Sequence, residues 1–408
     1  MFKTISKVKM PETLRGARIS FIDKNEICYS DDMAYFRINI DRSVHEAQFT
    51  GRFTFDGRHE GFSSKYYVPP FVYNEHLFIG TNSKNSQGKS CGIVIKLTRD
   101  DRILVQKELD GYIEGIILHP KGRLFCIVQH NIDASHNQKT LHCLSEDLDV
   151  LWSVDLGTYN WNNAYMTNLN SEAVLVNIEN GYTTASKKVF KVSFDGSIKV
   201  IQENFKQLFN ESNWGFHEQF FNYSDGSILR LNYYANRVEE KGDTYFKNHR
   251  IKIIIYDIHG EIAFCNEYPD ISSHSQYSIY KDFTKILFFN FVNNHVTSPT
   301  ESLERMDIVT GKRHVIFTKI CGPAFWGDRT MLYSPNHLAP IILDVDKILS
   351  VWNKGDENKT LLCLSNENEL LNEFEINGTI MDMAYKDDIF CLLIEMNKSL
   401  YVNFLNLT

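Results

Sequence analysis

The stretch Gly115-Ile116-Ile117-Leu118-His119-Pro120-Lys121-Gly122-Arg123-Leu124-Phe125-Cys126-Ile127-Val128 decides the fold. Two short apolar segments flank Pro120-Lys121-Gly122, a proline-glycine reversal, so the stretch reads as a β-hairpin. A second hairpin follows. Thr140 to Gly157 holds two strand-like runs on either side of Glu146-Asp147. The two hairpins make one unit of antiparallel strands.

Outward from this unit, the second hairpin recurs along the chain. The copies are Met33 to Gly51 about Asp41-Arg42-Ser43, Gly92 to Gly111 about Arg99-Asp100-Asp101, and Lys188 to Phe205 about Asp195-Gly196. Three more are Ile251 to Tyr268 about His259-Gly260, Leu303 to Lys319 about Thr310-Gly311, and Thr360 to Ile376 about Asn366-Glu367-Asn368. A repeat of roughly 45 to 60 residues is that of propeller blades with four strands each. The predicted fold is therefore all-β, a single β-propeller over residues 1–408. Its blades are expected at 12–61, 62–110, 111–157, 158–211, 212–271, 272–318 and 319–376. A composite blade joins 377–408 to 1–11, pairing Phe2–Met10 with three C-terminal strands and so removing an open seam of unpaired strand edges. That gives eight blades, or seven if the thin unit Arg18 to Thr50 does not form one.

Composition narrows the partners. Hydrophobic residues make up 43% of the 408 and aromatics 13%, which excludes a disordered or fibrous chain. The net charge of −8, from 43 Lys+Arg against 51 Asp+Glu, disfavours a broad phosphate-binding surface, so no nucleic-acid partner is expected. Met1–Met10 lacks the apolar core of a secretory signal, and no apolar run approaches the ~18 residues that span a bilayer. A cytoplasmic protein in a bacterial setting, without a membrane partner, is the expectation. Cys28, Cys91, Cys126, Cys143, Cys265, Cys321, Cys363 and Cys391 are scattered with no C-x-x-C pair, so neither a metal nor a cofactor is called for.

The segments Leu141-His142-Cys143-Leu144-Ser145-Glu146-Asp147-Leu148-Asp149-Val150-Leu151-Trp152-Ser153-Val154-Asp155-Leu156-Gly157 and Met306-Asp307-Ile308-Val309-Thr310-Gly311-Lys312-Arg313 resemble the repeat of quinoprotein-like (PQQ-like) propellers. The resemblance covers a hairpin in two or three blades. It implies a propeller, slightly favours eight blades and brings no cofactor, because this chain lacks the adjacent paired cysteines of the family's quinone-dependent dehydrogenases. The Trp-Asp and Gly-His signatures of WD40 repeats are absent.

Blade topology sorts the loops into two faces. Turns joining strands one to two and three to four are tight, as at Pro120-Lys121-Gly122, Lys281-Asp282-Phe283-Thr284 and Gly327-Asp328-Arg329. On the other face, Thr81–Ser90, Asn131–Lys139, Asn180–Lys187, Ala235–Arg250, Asn293–Ser302 and Ser334–Lys359 are expected to be long, irregular loops, with part of the last able to form an extra strand. The links between blades on that face carry aromatics and amides, among them Tyr67, Trp161, Asn163, Trp214, His217, Tyr277 and Trp326, and Asp328, in the tight turn that follows, completes the candidate partner-binding set. Such side chains bury much area at a small entropic cost, which suits a partner-binding surface. The same residues would also serve as plugs and wedges between blades.

Linear catalytic motifs are lacking. Gly80 to Ser90 ends like a phosphate-binding loop but has Ser83 where the first glycine belongs. His130, His136 and His142 recur without a metal-ligand pattern, and Asp147-Leu148-Asp149 and Asp344-Val345-Asp346 lack the further carboxylates of a calcium loop. A site assembled from one residue per blade would leave no motif, and Glu114, His217, Glu218 and Asp328 are its candidates. The expected function is a non-enzymatic propeller that binds another protein through the long-loop face, as scaffold or sequestering partner. The alternative is an axial-pocket hydrolase or lyase, or a glycan-binding propeller, acting on a small polar ligand.

Overall fold

The computed structural model describes residues 2–10, 18–30, 34–41, 46–54, 71–84, 86–133, 136–160, 162–170, 172–180, 188–202, 213–222, 225–240, 243–271, 277–293, 300–320, 325–326, 329–330, 338–344, 347–353 and 359–407. They form eight antiparallel sheets of four strands and one isolated two-stranded hairpin. The fold is an eight-bladed β-propeller.

The first blade is Arg18–Phe21, Glu26–Ser30, Ala34–Asp41 and Glu46–Thr54, and the second is Phe71–Tyr73, His76–Lys84, Ser90–Leu97 and Ile103–Asp110. Tyr112–His119, Arg123–Asn131, His136–Leu144 and Val150–Asn160 make the third; Asn162–Asn170, Ala173–Asn180, Lys188–Ser193 and Ile198–Gln202 make the fourth. The fifth is Asn213–Asn222, Ile228–Glu240, Asp243–Tyr256 and Ile262–Pro269, and the sixth is Ser278–Ile279, Lys285–Asn293, Thr300–Asp307 and Arg313–Ile320. Ile341–Asp344, Lys347–Asn353, Lys359–Ser365 and Leu370–Asn377 form the seventh. In the eighth, Phe2–Lys9 pairs with Ser399–Leu407, followed by Ile389–Met396 and Thr379–Lys386. The two ends of the chain thus share a sheet.

By compactness the chain divides into one unit of Met1–Glu211, Ala384–Cys391 and Val402–Thr408, and another of Ser212–Met383 and Leu392–Tyr401. Within each unit the cores lie between consecutive blades. Phe125, Leu141 and Cys143 of the third blade pack with Val174, Val176 and Phe190 of the fourth, while Leu231 and Ile253 of the fifth pack with Ile286 and Phe288 of the sixth. Covered on both sides, middle strands such as Arg123–Asn131 and Ile389–Met396 are almost wholly buried. Their near-continuous apolar runs follow from that double coverage. Outer strands, covered on one side, keep Ile103, Leu151 and Val315 exposed.

Local chemistry explains why the hairpin between third and fourth strands recurs. Ser145 Oγ accepts from the amides of Asp147 and Asp149 at 3.2 and 3.1 Å, and Asp257 Oδ1 from those of His259 and Glu261 at 2.8 and 2.9 Å. Asp307 Oδ1 does the same for Val309 and Thr310, and Asn366 Oδ1 for Asn368 and Glu369. These bonds hold the reversal before any tertiary contact forms. They also hold the Asp257 and Asp307 carboxyls below their usual range. The Asp257 and Asp307 turns also carry a residue at positive φ, supplied by Gly260 and Gly311, at φ +82° and +69°.

Two expectations are corrected. Ala235–Arg250 is not an irregular loop: it is the distal part of a long hairpin, with register Asn236↔Lys247, Arg237↔Phe246, Val238↔Tyr245, Glu239↔Thr244 and Glu240↔Asp243. Its polar residues mask a ladder whose bonds are cross-strand and therefore invisible to local composition. Ser334–Lys359 likewise contains the first two strands of the seventh blade, Ile341–Asp344 and Lys347–Asn353, with Ile348, Leu349, Val351 and Trp352 buried. Phe325–Trp326 and Arg329–Thr330, expected to open that blade, form the isolated hairpin instead. Strand also claims Thr81–Lys84, His136–Lys139 and Thr300–Ser302 from three further expected loops. Among the described residues no helix is long and apolar enough to cross a membrane.

Candidate functional site

The two ends of the blades differ in what their side chains do. At the end bearing the tight turns between third and fourth strands, the turns of the second, third, fourth, sixth and seventh blades are gripped by the preceding blade. Arg37 of the first blade donates to Asp101 of the second at 2.8 Å, and Lys96 of the second to Asp147 of the third at 3.0 Å. Arg123 and Trp152 of the third blade both donate to the Phe194 carbonyl of the fourth, at 2.9 and 2.7 Å. In the other unit, the Tyr268 phenol of the fifth blade donates to the carbonyls of Ile308 and Val309 at 2.7 and 2.8 Å, and Arg305 of the sixth pairs with Glu367 of the seventh. The turns are joints between blades.

At the opposite end, side chains hold the segments that lead from one blade into the next. Asn82 Oδ1 accepts from Ile113 N at 2.7 Å while its Nδ2 donates to Ile113 O at 3.0 Å, fixing the start of the third blade's first strand beside a bulge. Glu114, carried by that bulge, is buried and ion-paired with Lys139, which also donates to Gln129 Oε1 at 2.9 Å. The second oxygen of Glu114 accepts from Ala164 N at 3.1 Å, one residue past Asn163. Thr360 Oγ1 donates to Gly378 O at 2.8 Å and accepts from Ile380 N, doing the same for the eighth blade. A buried carboxylate and a buried ammonium are tolerated here because each is paired and further hydrogen-bonded. Glu114 is thus a tie between the third and fourth blades, held by Lys139 and by Ala164 N, rather than an acid turned toward a ligand.

The residues expected at the functional face are distributed as follows. Tyr67, Trp161 and Asp328 lie outside the described residues. Asn163, Trp214, His217 and Trp326 are placed by their backbone: Asn163 opposite Glu179, Trp214 opposite Ala235, His217 opposite Tyr233 after a bulge at Gly215, and Trp326 opposite Arg329. Glu218 stands opposite Asn232. Tyr277 is buried against Phe288, 5.7 Å between ring centroids, and belongs to the core between the fifth and sixth blades. Trp214 and His217 share a blade with the long hairpin, Asn213 pairing with Asn236 at its foot.

That foot holds a polar cluster that no local motif announced. Arg250 donates to Glu267 Oε1 at 2.8 Å, to Asn236 Oδ1 at 3.4 Å and to the Asn248 carbonyl at 3.1 Å, and its guanidinium lies 5.5 Å from the centre of the Tyr234 ring. Burial, with the Glu267 carboxylate beside it, pushes the Tyr234 phenol well above its ordinary value. Tyr233 bonds His249 through its hydroxyl, with the rings stacked. Elsewhere, His142 bonds Ser153 Oγ at 2.7 Å, and burial pulls its imidazole down to about 4. Among the described residues no group of three or more His, Cys, Asp or Glu side chains is arranged to hold a metal ion.

No protein family and no curated protein matches the chain. Solved structures do. BamB from Moraxella catarrhalis, a PQQ-type propeller, superposes with a TM-score of 0.55 at 9% identity, covering 100% of both chains. Sqt1 from Saccharomyces cerevisiae superposes with a TM-score of 0.52 at 10% identity, covering 96% of each. At such identities the likeness is one of fold, and it agrees with the quinoprotein-like resemblance of the hairpins.

Proposed function

We propose that the chain is a non-enzymatic propeller that binds another protein at the end of the blades where the inter-blade links emerge, with Trp161 and Trp214 as anchors. The observation that carries this reading is the division of labour between the two ends. The tight turns are clasped by side chains of the preceding blade, through Arg37–Asp101, Lys96–Asp147 and Tyr268–Ile308, whereas at the other end a buried side chain, Glu114, fixes the backbone at Ala164 where one blade leads into the next. A binding surface gains from such preorganisation, because its segments lose less freedom on association. Aromatic anchors are the residues in which an interface concentrates its binding energy. The axial-enzyme reading loses one of its candidate acids, since the Glu114 carboxylate is taken up by Lys139 and Ala164.

The test is affinity purification from the native cell with the parent chain and with a Trp161→Ala/Trp214→Ala variant, alongside thermal melts of both. A protein captured by the parent and lost by a variant of unchanged melting temperature supports the reading. A large fall in melting temperature would make the tryptophans wedges between blades.

A further inference from the structure

The long hairpin of the fifth blade extends beyond its own sheet. Pairing with the first strand of the blade ends at Asn213↔Asn236, and pairing with the outer strand ends at Arg250↔Pro269. Among the described residues, 237–240 and 243–246 pair only with one another, and Lys247 opposite Asn236 joins this two-stranded arm to the sheet. Its root is built rather than frayed. The register shifts between Tyr234 and Asn236, Asn248 sits at φ +54° in the extra length, and Arg250 clamps Asn236, Asn248 and Glu267 about it. Such a bulge re-aims a strand, and an Asn tolerates the left-handed conformation it needs.

A lone two-stranded ribbon is marginal in water, and its open edges are templates for another strand. Counting along the ladder from the closing pair Glu240↔Asp243, the N–H and C=O groups of Thr244 and Phe246 face the edge away from 237–240. That edge is self-complementary. Laid antiparallel on itself about Tyr245, the run Asp243-Thr244-Tyr245-Phe246-Lys247 sets Asp243 opposite Lys247 at both ends, Thr244 opposite Phe246, and Tyr245 opposite Tyr245. Opposite charges and aromatic or β-branched pairs at facing positions are what stabilise adjacent strands.

We propose that residues 243–247 pair antiparallel with the same residues of a second copy of this chain, joining two arms into a four-stranded sheet across a two-fold axis. Thr244 and Phe246 exchange backbone hydrogen bonds across the axis, and the two Asp243–Lys247 pairs set the register.

Sedimentation velocity on the full chain tests this. The parent chain forms a concentration-dependent dimer. Asp243→Lys places lysine opposite Lys247 at both ends and weakens the dimer about tenfold. Lys247→Asp does so by the reverse route, and the combined Asp243→Lys/Lys247→Asp chain recovers the parent affinity. Phe246→Pro, which removes an outward N–H and spares the arm's own ladder, abolishes the dimer. A parent chain that stays monomeric, a dimer indifferent to Asp243→Lys and Phe246→Pro, or a combined variant no tighter than the single ones would overturn the proposal. Far-UV circular dichroism of each variant separates lost pairing from lost folding.

Discussion

Arg37 of the first blade reaches Asp101, in the turn of the second, at 2.8 Å, and the same guanidinium bonds Glu26 at 3.1 Å. The guanidinium is buried, and its partners are nearly so. Lys96 makes the equivalent contact with Asp147, but Asp147 is 75% exposed. One relationship recurring in two environments separates what it contributes. Arg37→Ala removes the buried cation that Asp101 and Glu26 share, leaving Glu26 with Arg99 at 3.4 Å, and costs about 2 kcal/mol of stability. Asp147→Ala costs ~1 kcal/mol or less, because the pair is open to solvent and Glu146 remains 3.7 Å from Lys96. Denaturant unfolding of the two variants checks the ranking, and equal losses would contradict it.

The Glu114–Lys139 pair makes a sharper case. Glu114→Gln keeps an oxygen for Ala164 N but strands a buried ammonium, at a cost of about 3 kcal/mol. Adding Lys139→Met removes the stranded charge, so Glu114→Gln/Lys139→Met is expected to be more stable than Glu114→Gln alone. A double-mutant cycle reads this directly. If the combined variant is the weaker one, the ion pair is not what the carboxylate is there for.

Two glycines at positive φ separate backbone strain from crowding. Around Gly88, at φ +75°, a Cβ meets nothing within 4 Å, whereas at Gly311 it would run into the Tyr268 ring, whose hydroxyl grips that turn. Gly88→Ala should cost ~1 kcal/mol, from backbone strain alone. Gly311→Ala should cost about 3 kcal/mol, since it also displaces the joint between the fifth and sixth blades. Melting curves giving the two variants equal losses would count against the joint.

Acid sensitivity should trace in part to His142. Its imidazole titrates near 4 in the fold against 6.5 when free, because burial disfavours the cation. Between these values the unfolded chain takes up the proton more readily. The stability this group contributes is therefore complete above pH 6.5 and is lost as pH falls toward 4. Asp257 and Asp307, whose carboxyls are lowered by turn amides, add losses at still lower pH. His142→Gln is expected to lose less stability than the parent between pH 6.5 and 4, and parallel pH curves would refute the assignment.

What was legible in the sequence was local. Asp257, Asp307 and Asn366 announce their turns because the atoms that close each reversal lie within four residues of one another, and the apolar middle strands announce double coverage. Even the composite blade followed from counting strands at the two ends. Illegible were relations between distant residues. Glu114 reads as an acid on a first strand, and only Lys139 beyond the next strand turns it into a tie. The arm at 237–247 reads as a polar loop, since what makes it strand is the register of Val238 against Tyr245. Tyr277 resembles its neighbours in aromatic links but packs on Phe288.

The division of labour between the blade ends is tested most directly by amide hydrogen exchange of the chain with and without the captured partner. Binding at the links slows exchange in peptides spanning 158–164 and 213–218 and leaves the turns at 98–102, 145–149, 257–261 and 307–311 unchanged. Protection confined to those turns, with the links exchanging as before, would contradict it.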